Sequence, residues 1–219
     1  MSWQSAVGSR QSGRCFSLRL AVAFAGNATA KRMRQLQTRL PTANCQLRTS
    51  YYLYPMKRIG LISDTHSHLP AAVFDHFKEC DEIWYAGDIG DISVADRLAR
   101  FKPFRAVYGN IDGTEARADY PEINRFELEG VDVLMIHIGG YPNRYSLKVK
   151  EIMQVKPPKL FICGHSHILK VMYDQKYQCL HLNPGAAGNH GFHKMRTLLR
   201  FSLDKGEIKD LEIIELGPR

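Results

Sequence analysis

From Met56 onward the chain alternates short apolar runs with segments of helical period. Arg58–Ser63 (RIGLIS), Glu82–Ala86 (EIWYA), Arg105–Tyr108 (RAVY), Val131–Ile136 (VDVLMI) and Leu160–Cys163 (LFIC) are rich in β-branched and aromatic residues. Each predicts a short strand, mostly buried on both faces. Between the early runs lie helical patterns. Pro70 fits a first helical position, with Leu69, Val73 and Phe77 following at i, i+4 and i+8. Asp91 can cap a second helix carrying Val94, Leu98 and Phe101 on one face, and Ser146 a third over 147–155, stopped by Pro157-Pro158.

The C-terminal third changes character. Leu169–Tyr173 and Tyr177–Leu182 flank a polar Asp-Gln-Lys turn, and Thr197–Leu203 and Glu207–Ile214 flank Asp204-Lys205-Gly206. These predict antiparallel hairpins with no crossover helix between them. A β-α-β opening followed by hairpins implies an α/β fold of two sheets packed face to face with helices outside.

The first 55 residues lack any sustained period, and their charge is one-sided. They hold eight basic residues (Arg10, Arg14, Arg19, Lys31, Arg32, Arg34, Arg39, Arg48) and no Asp or Glu. The whole chain carries 30 Lys and Arg against 22 Asp and Glu, a net +8, so residues 56–219 hold 22 of each sign. The basic excess therefore belongs to the N-terminal stretch, and no specific nucleic-acid binding is implied for the body. Three readings of 1–55 stand: an over-extended start or idle tail ahead of a true start at Met56, an Arg-rich targeting segment, or a binding arm. The expected organisation is an extension over 1–55 and one domain over 56–219.

Composition narrows the class. With 44% hydrophobic and 24% charged residues among 219, the chain reads as globular rather than disordered or fibrous. No apolar run approaches the ~18 residues of a membrane-spanning helix, so no membrane partner is expected. Five cysteines (Cys15, Cys45, Cys80, Cys163, Cys179), odd in number and without a C-x-x-C pair, point to a reduced, cytoplasmic setting.

The chemistry sits where the strands end. The first predicted strand runs into Asp64-x-His66, the second into Gly87-Asp88, the third into Gly109-Asn110, the fourth into His137, and the fifth into Gly164-His165-Ser166-His167. Taken singly, each has an ordinary reading as a helix cap, a turn or a core histidine. Taken together and in order they converge, because the carboxyl ends of strands in open α/β sheets form the site crevice. Two Asp, one Asn and four His supply eight coordination bonds if one carboxylate bridges. That is what a dinuclear metal centre acting on phosphoryl oxygens needs. Imidazole and carboxylate donors suit Mn, Ni, Fe or Zn better than Mg or Ca, with Mn the first expectation.

This series of motifs resembles the calcineurin-like metallophosphoesterase superfamily. With Asn183-Pro184-Gly185 after the last histidine pair, the compact body looks like its small bacterial and archaeal phosphodiesterase branch. The resemblance covers about residues 56–216. It implies a four-layer α-β-β-α sandwich and two divalent metal ions. One ion would take Asp64, His66, Asp88 and His167; the other would take Asp88, Asn110, His137 and His165, with a bridging hydroxide as nucleophile. Asp88, Asn110 and His165 are then the residues closest to catalysis.

Two departures stand out. Many members carry His directly after the Asn as general acid, whereas here Ile111 follows Asn110, and Ile138 displaces the glycine usual after the ligand His. His190 and His193 read as surface or supporting residues, and His68 as a supporting residue at most. The function implied is a metal-dependent phosphodiesterase acting on a small-molecule or nucleotide diester, with homo-oligomers allowed. The alternative is a non-catalytic protein-binding scaffold on the same fold, like the retromer subunit that resembles this branch but has lost ligands.

Overall fold

The computed structural model describes residues 56–219, and the readings made for 1–55 lie outside them. Twelve strands and four helices follow in chain order. They are β1 Lys57–Ile62, α1 Ala72–His76, β2 Glu82–Tyr85, α2 Ile92–Phe101, β3 Phe104–Ala106, α3 Thr114–Asp119, β4 Ile123–Leu128 and β5 Val131–Ile136. After these come β6 Gly140–Tyr141, β7 Arg144–Tyr145, α4 Leu147–Val155, β8 Leu160–Ile162, β9 Leu169–Asp174, β10 Cys179–Pro184, β11 Met195–Asp204 and β12 Glu207–Pro218.

Two five-stranded sheets result, ordered β12-β11-β1-β2-β3 and β4-β5-β8-β10-β9. Each holds a parallel trio: β1-β2-β3 ends at the β3 edge of the first sheet, with antiparallel β11 and β12 added beyond β1, while β5-β8-β10 forms the centre of the second between antiparallel β4 and β9. The sheets face each other across Ile59, Leu61, Trp84 and Phe201 from the first and Val133, Met135, Ile162 and Leu182 from the second. Alternate residues of the same strands point outward. Ile62, Ile83 and Tyr85 meet Val73 of α1 and Val94 and Leu98 of α2, while Leu134, Ile136 and Phe161 meet Val149 and Met153 of α4. The fold is the expected four-layer α-β-β-α sandwich. All five predicted site strands, both hairpins and the helices after Asp91 and Ser146 form.

The caps behave as their residue types dictate. The Asp91 carboxylate accepts from Ser93 N at 2.9 Å, and Ser146 Oγ from Val149 N at 3.4 Å. One boundary differs: Pro70 lies two residues ahead of α1, where its carbonyl accepts from Val73 N as a turn. No helix among the described residues is long and apolar enough to cross a membrane.

Candidate metal centre

Each parallel strand delivers its loop to one end of the sandwich, and backbone bonds lace those loops together. Asp64 N donates to Gly87 O at 3.0 Å, His66 N to Asp88 O at 3.1 Å, Gly164 N to His137 O at 3.1 Å and Gly188 N to Asp64 O at 3.1 Å. All seven residues expected at the site are brought together. Asp64, Asp88 and His137 form a buried floor, at 0%, 2% and 2% exposure. His66 and His167 are half-buried beside it, and Asn110 and His165 lie exposed at the rim.

Donor atoms from Asp64, His66, Asp88 and His167 fall within 4.8 Å of one another, and so do those of Asp88, His137 and His165. Asp88 is common to both groups. Its Oδ2 lies 3.7 Å from His66 Nε2 and its Oδ1 lies 3.2 Å from His137 Nε2. On the first side, Asp64 Oδ1 is 3.3 Å from His167 Nε2, and on the second, Asn110 Oδ1 is 3.1 Å from His137 Nε2.

Local backbone geometry shows what the placement costs. Asp64, His66, Asp88, His165 and His167 all have positive φ, between 47° and 69°. Five of seven site residues thus occupy a region that side-chain-bearing residues rarely adopt, and such strain concentrates at functional sites. Neighbouring glycines make the close approach possible. A Cβ on Gly109 would coincide with the Asp88 carboxylate, and one on Gly87 would sit 2.6 Å from His137 Nδ1.

Hydrogen bonding decides what the donors can hold. His137 Nδ1 lies 2.7 Å from Ala86 O, a pure acceptor, so this nitrogen carries a proton; the protonated ring then donates from Nε2 to Asp88, and in the neutral ring Nε2 presents a lone pair. That lone pair faces oxygens of Asp88 and Asn110, which are also acceptors. Similarly, His66 Nε2 and His167 Nε2 face each other at 3.1 Å beside the two carboxylates. Acceptors converging on common points at the end of the two sheets fit divalent cations.

The metal-free charge pattern agrees. Burial works against ionisation of Asp88, but the hydrogen bond and charge of His137, the Ile111 N–H and His66 outweigh it and hold the carboxyl below its ordinary value. Burial likewise opposes protonation of His137, while Asp88 and Asp64 more than compensate and raise its pKa. His167 is raised mainly by its bond to Asp64, whereas burial lowers His66.

Three supporting residues have no site role in the sequence reading, although Asn183 belongs to its Asn183-Pro184-Gly185 motif. Asp112 is 3% exposed and gathers three loop N–H groups, accepting from Gly109 N at 2.6 Å, Asp88 N at 3.1 Å and Gly90 N at 2.8 Å. The Asn183 amide donates to Gly164 O at 2.8 Å and Ser166 Oγ at 3.2 Å, fixing the loop of His165 and His167. Tyr85 OH, fully buried, donates to Thr65 Oγ1 at 2.6 Å and so braces the Asp64–His66 loop from beneath.

His190 and His193 come nearer than their spacing implied. Their rings lie 4.8 Å from that of His66 and 5.5 Å from that of His167, respectively. His68 is exposed, with its backbone N–H donating to Thr65 O.

This fold and this end-of-sheet cluster of carboxylates and imidazoles define a metallophosphoesterase. The chain belongs to the calcineurin-like phosphoesterase superfamily, whose domain matches residues 56–206. A relative from Methanothermobacter thermautotrophicus, named a probable metallophosphoesterase, is 31% identical over 166 residues, 73% of this chain and 92% of the relative. Among solved structures, one described as a novel archaeal phosphodiesterase has a TM-score of 0.60 at 20% identity, covering 73% of this chain and 99% of that one. Vps29 from Entamoeba histolytica, solved with Zn, has a TM-score of 0.53 at 16% identity, covering 72% and 98%. These structural likenesses are likenesses of fold.

Proposed function

We propose that this chain is a metal-dependent phosphodiesterase with a dinuclear centre. The observation that carries the reading is Asp88, whose two oxygens face histidines of two different donor groups. Asp64, His66, Asp88 and His167 would hold one ion, and Asp88, Asn110, His137 and His165 the other, with Mn the first expectation among Mn, Ni, Fe and Zn. When bound, the metals supply Lewis-acid polarisation of phosphoryl oxygens and of the attacking water.

The protein's own groups set the stage for this. Asp64 and Asp88 provide buried negative charge at the floor, and Asp64 is oriented by His165 N, which donates to both carboxylate oxygens at 3.2 Å. The His137 Nδ1–H, donating to Ala86 O, locks the ring so that Nε2 keeps its lone pair on the centre. Asn110 and His165, exposed at the rim, face the side from which a phosphate ester arrives. Ile111 follows Asn110 at the same rim. It offers no proton for a leaving group, which favours diesters with good leaving groups over alkyl monoesters.

Testing requires metal-loaded protein and one diester, bis(p-nitrophenyl) phosphate. Metal-dependent hydrolysis is expected, and its absence with every one of Mn, Ni, Fe and Zn would overturn the reading. The alternative, a non-catalytic scaffold, draws support from the exposed Ile111, Ile138, Ile168 and Phe192 around the site. The complete donor set favours the enzyme.

A further inference from the structure

Asn110 is the least constrained of the seven donors. Asp64, Asp88 and His137 are buried, and His66, His165 and His167 hold positive φ. Asn110 is exposed and keeps an ordinary backbone, and it offers a neutral amide oxygen, 3.1 Å from His137 Nε2. A donor without charge contributes to a metal site only as far as its support holds it in place.

That support comes from two sides of the loop Gly109–Asp112. On one side carboxylates take its N–H groups: Asp112 Oδ2 accepts from Gly109 N at 2.6 Å, and Asp88 Oδ1 from Ile111 N at 3.1 Å. On the other, a single side chain collects its carbonyls. Arg117 Nε donates to Asp112 O at 2.7 Å, and Nη2 donates to Gly109 O at 3.2 Å and to Asn110 O at 3.3 Å. The guanidinium carbon also lies 4.5 Å from the ring centroid of Tyr108, the residue just before the loop.

All three acceptors are main-chain carbonyls and none is a carboxylate. The charge of Arg117 is thus turned to shaping a loop. A planar fork with fixed donor directions suits that task, and the point charge of a lysine does not. Arg117 reaches the loop from α3, a six-residue helix that buries only Ala116. So short a helix has little stability of its own, and these side-chain bonds join it to the site.

We propose that Arg117 is the positioning residue of the second ion's site, clamping three carbonyls of the Asn110 loop so that the Asn110 amide stays on the centre. The proposal rests on the two-ion reading. Arg117 contacts none of the other six donors and acts through Asn110 alone. Coulomb's law gives the sign that separates this role from a charge effect. A guanidinium near a cation site repels the cation, so loss of its charge alone would tighten metal binding. Release of the loop weakens it.

The test is Mn titration of the full chain by calorimetry, with urea unfolding of each protein alongside. The unaltered chain is expected to bind two ions. Arg117→Ala should weaken the second by about 10–100-fold, the usual effect of removing a group that holds a ligand, and leave the first nearly intact. Arg117→Lys keeps the charge and the aliphatic stem, which guards against simple failure to fold, and should still lose most of the second ion's affinity. Asn110→Ala should weaken the same ion, and Arg117→Ala added to it should cost nothing further, because both act through one donor. Three results would each overturn the role of Arg117 and leave the two-ion reading standing. They are an unchanged or tighter second ion in Arg117→Ala or Arg117→Lys, equal losses at both ions, and additive losses in the double variant. An unaltered chain that binds a single ion would overturn both.

Discussion

The Nε2 atoms of His66 and His167, 101 residues apart in sequence, face each other at 3.1 Å. Two imidazole nitrogens at that distance share at most one proton, and each also lies near a carboxylate, Asp88 at 3.7 Å and Asp64 at 3.3 Å. A divalent ion satisfies both lone pairs and both charges at once. His167→Ala should therefore cut the affinity of the first ion at least about 100-fold and leave the second nearly intact, and His165→Ala should do the reverse. Metal titration of the two variants checks this. Equal losses at both ions in both variants would contradict the division.

Protons compete with metal for the same nitrogens. His137 and His167 are held above their ordinary pKa by Asp88 and Asp64, so in the metal-free chain they stay protonated to higher pH than a free histidine near ~6.5. Binding must displace those protons. Mn affinity should therefore weaken as pH falls through neutrality, from roughly pH 8 to 6, with the slope steepening toward about tenfold per unit for each histidine proton displaced. Titrations at fixed ionic strength measure the slope, and a flat profile over that range would be incompatible with these ligands.

Asp112 ties the second and third loops together through three backbone N–H groups. Asp112→Ala leaves the buried Asp88 and Gly109 N–H groups and the partly buried Gly90 N–H unpaired, at roughly 1–3 kcal/mol for each buried one. A loss of about 3 kcal/mol or more in urea unfolding is expected, with weaker metal binding even where the fold survives. Little change in either would mean that water replaces the carboxylate without cost.

The sandwich and the cluster of candidate donors were legible because both leave strong local marks. An apolar run of four to six residues ending in Asp, His or Gly-Asn reads as a buried strand feeding a site, and five such runs set the register of the whole body. The strand Ile123–Leu128 escaped notice because it is an edge strand. None of its residues is fully buried, and Asn124, Arg125 and Glu127 interrupt its apolar pattern. Helix Thr114–Asp119 buries only Ala116 and so has no period to detect. Asp112 sits in a stretch that reads as an ordinary turn. His190 and His193 reach His66 and His167 only because the chain folds back after β10, which no local spacing announces.

Ile111 is 45% exposed at the rim, and its backbone N–H donates to Asp88 Oδ1 at 3.1 Å. Placed protonation of a leaving alkoxide is typically worth ~10²–10⁴ in rate. Ile111→His should therefore speed esters with poor leaving groups more than activated aryl esters, flattening a plot of log rate against leaving-group pKa. Parallel slopes in the two forms would show that another group already supplies the proton.

The shared carboxylate of Asp88 is the hinge of the whole proposal, and metal stoichiometry tests it most directly. Elemental analysis of the active full-length chain, purified in Mn, should find about two ions per chain, while Asp88→Asn should fall to one or fewer and lose diester hydrolysis. A fully active chain holding a single ion, or an Asp88→Asn protein that keeps both ions and its rate, would contradict the dinuclear assignment.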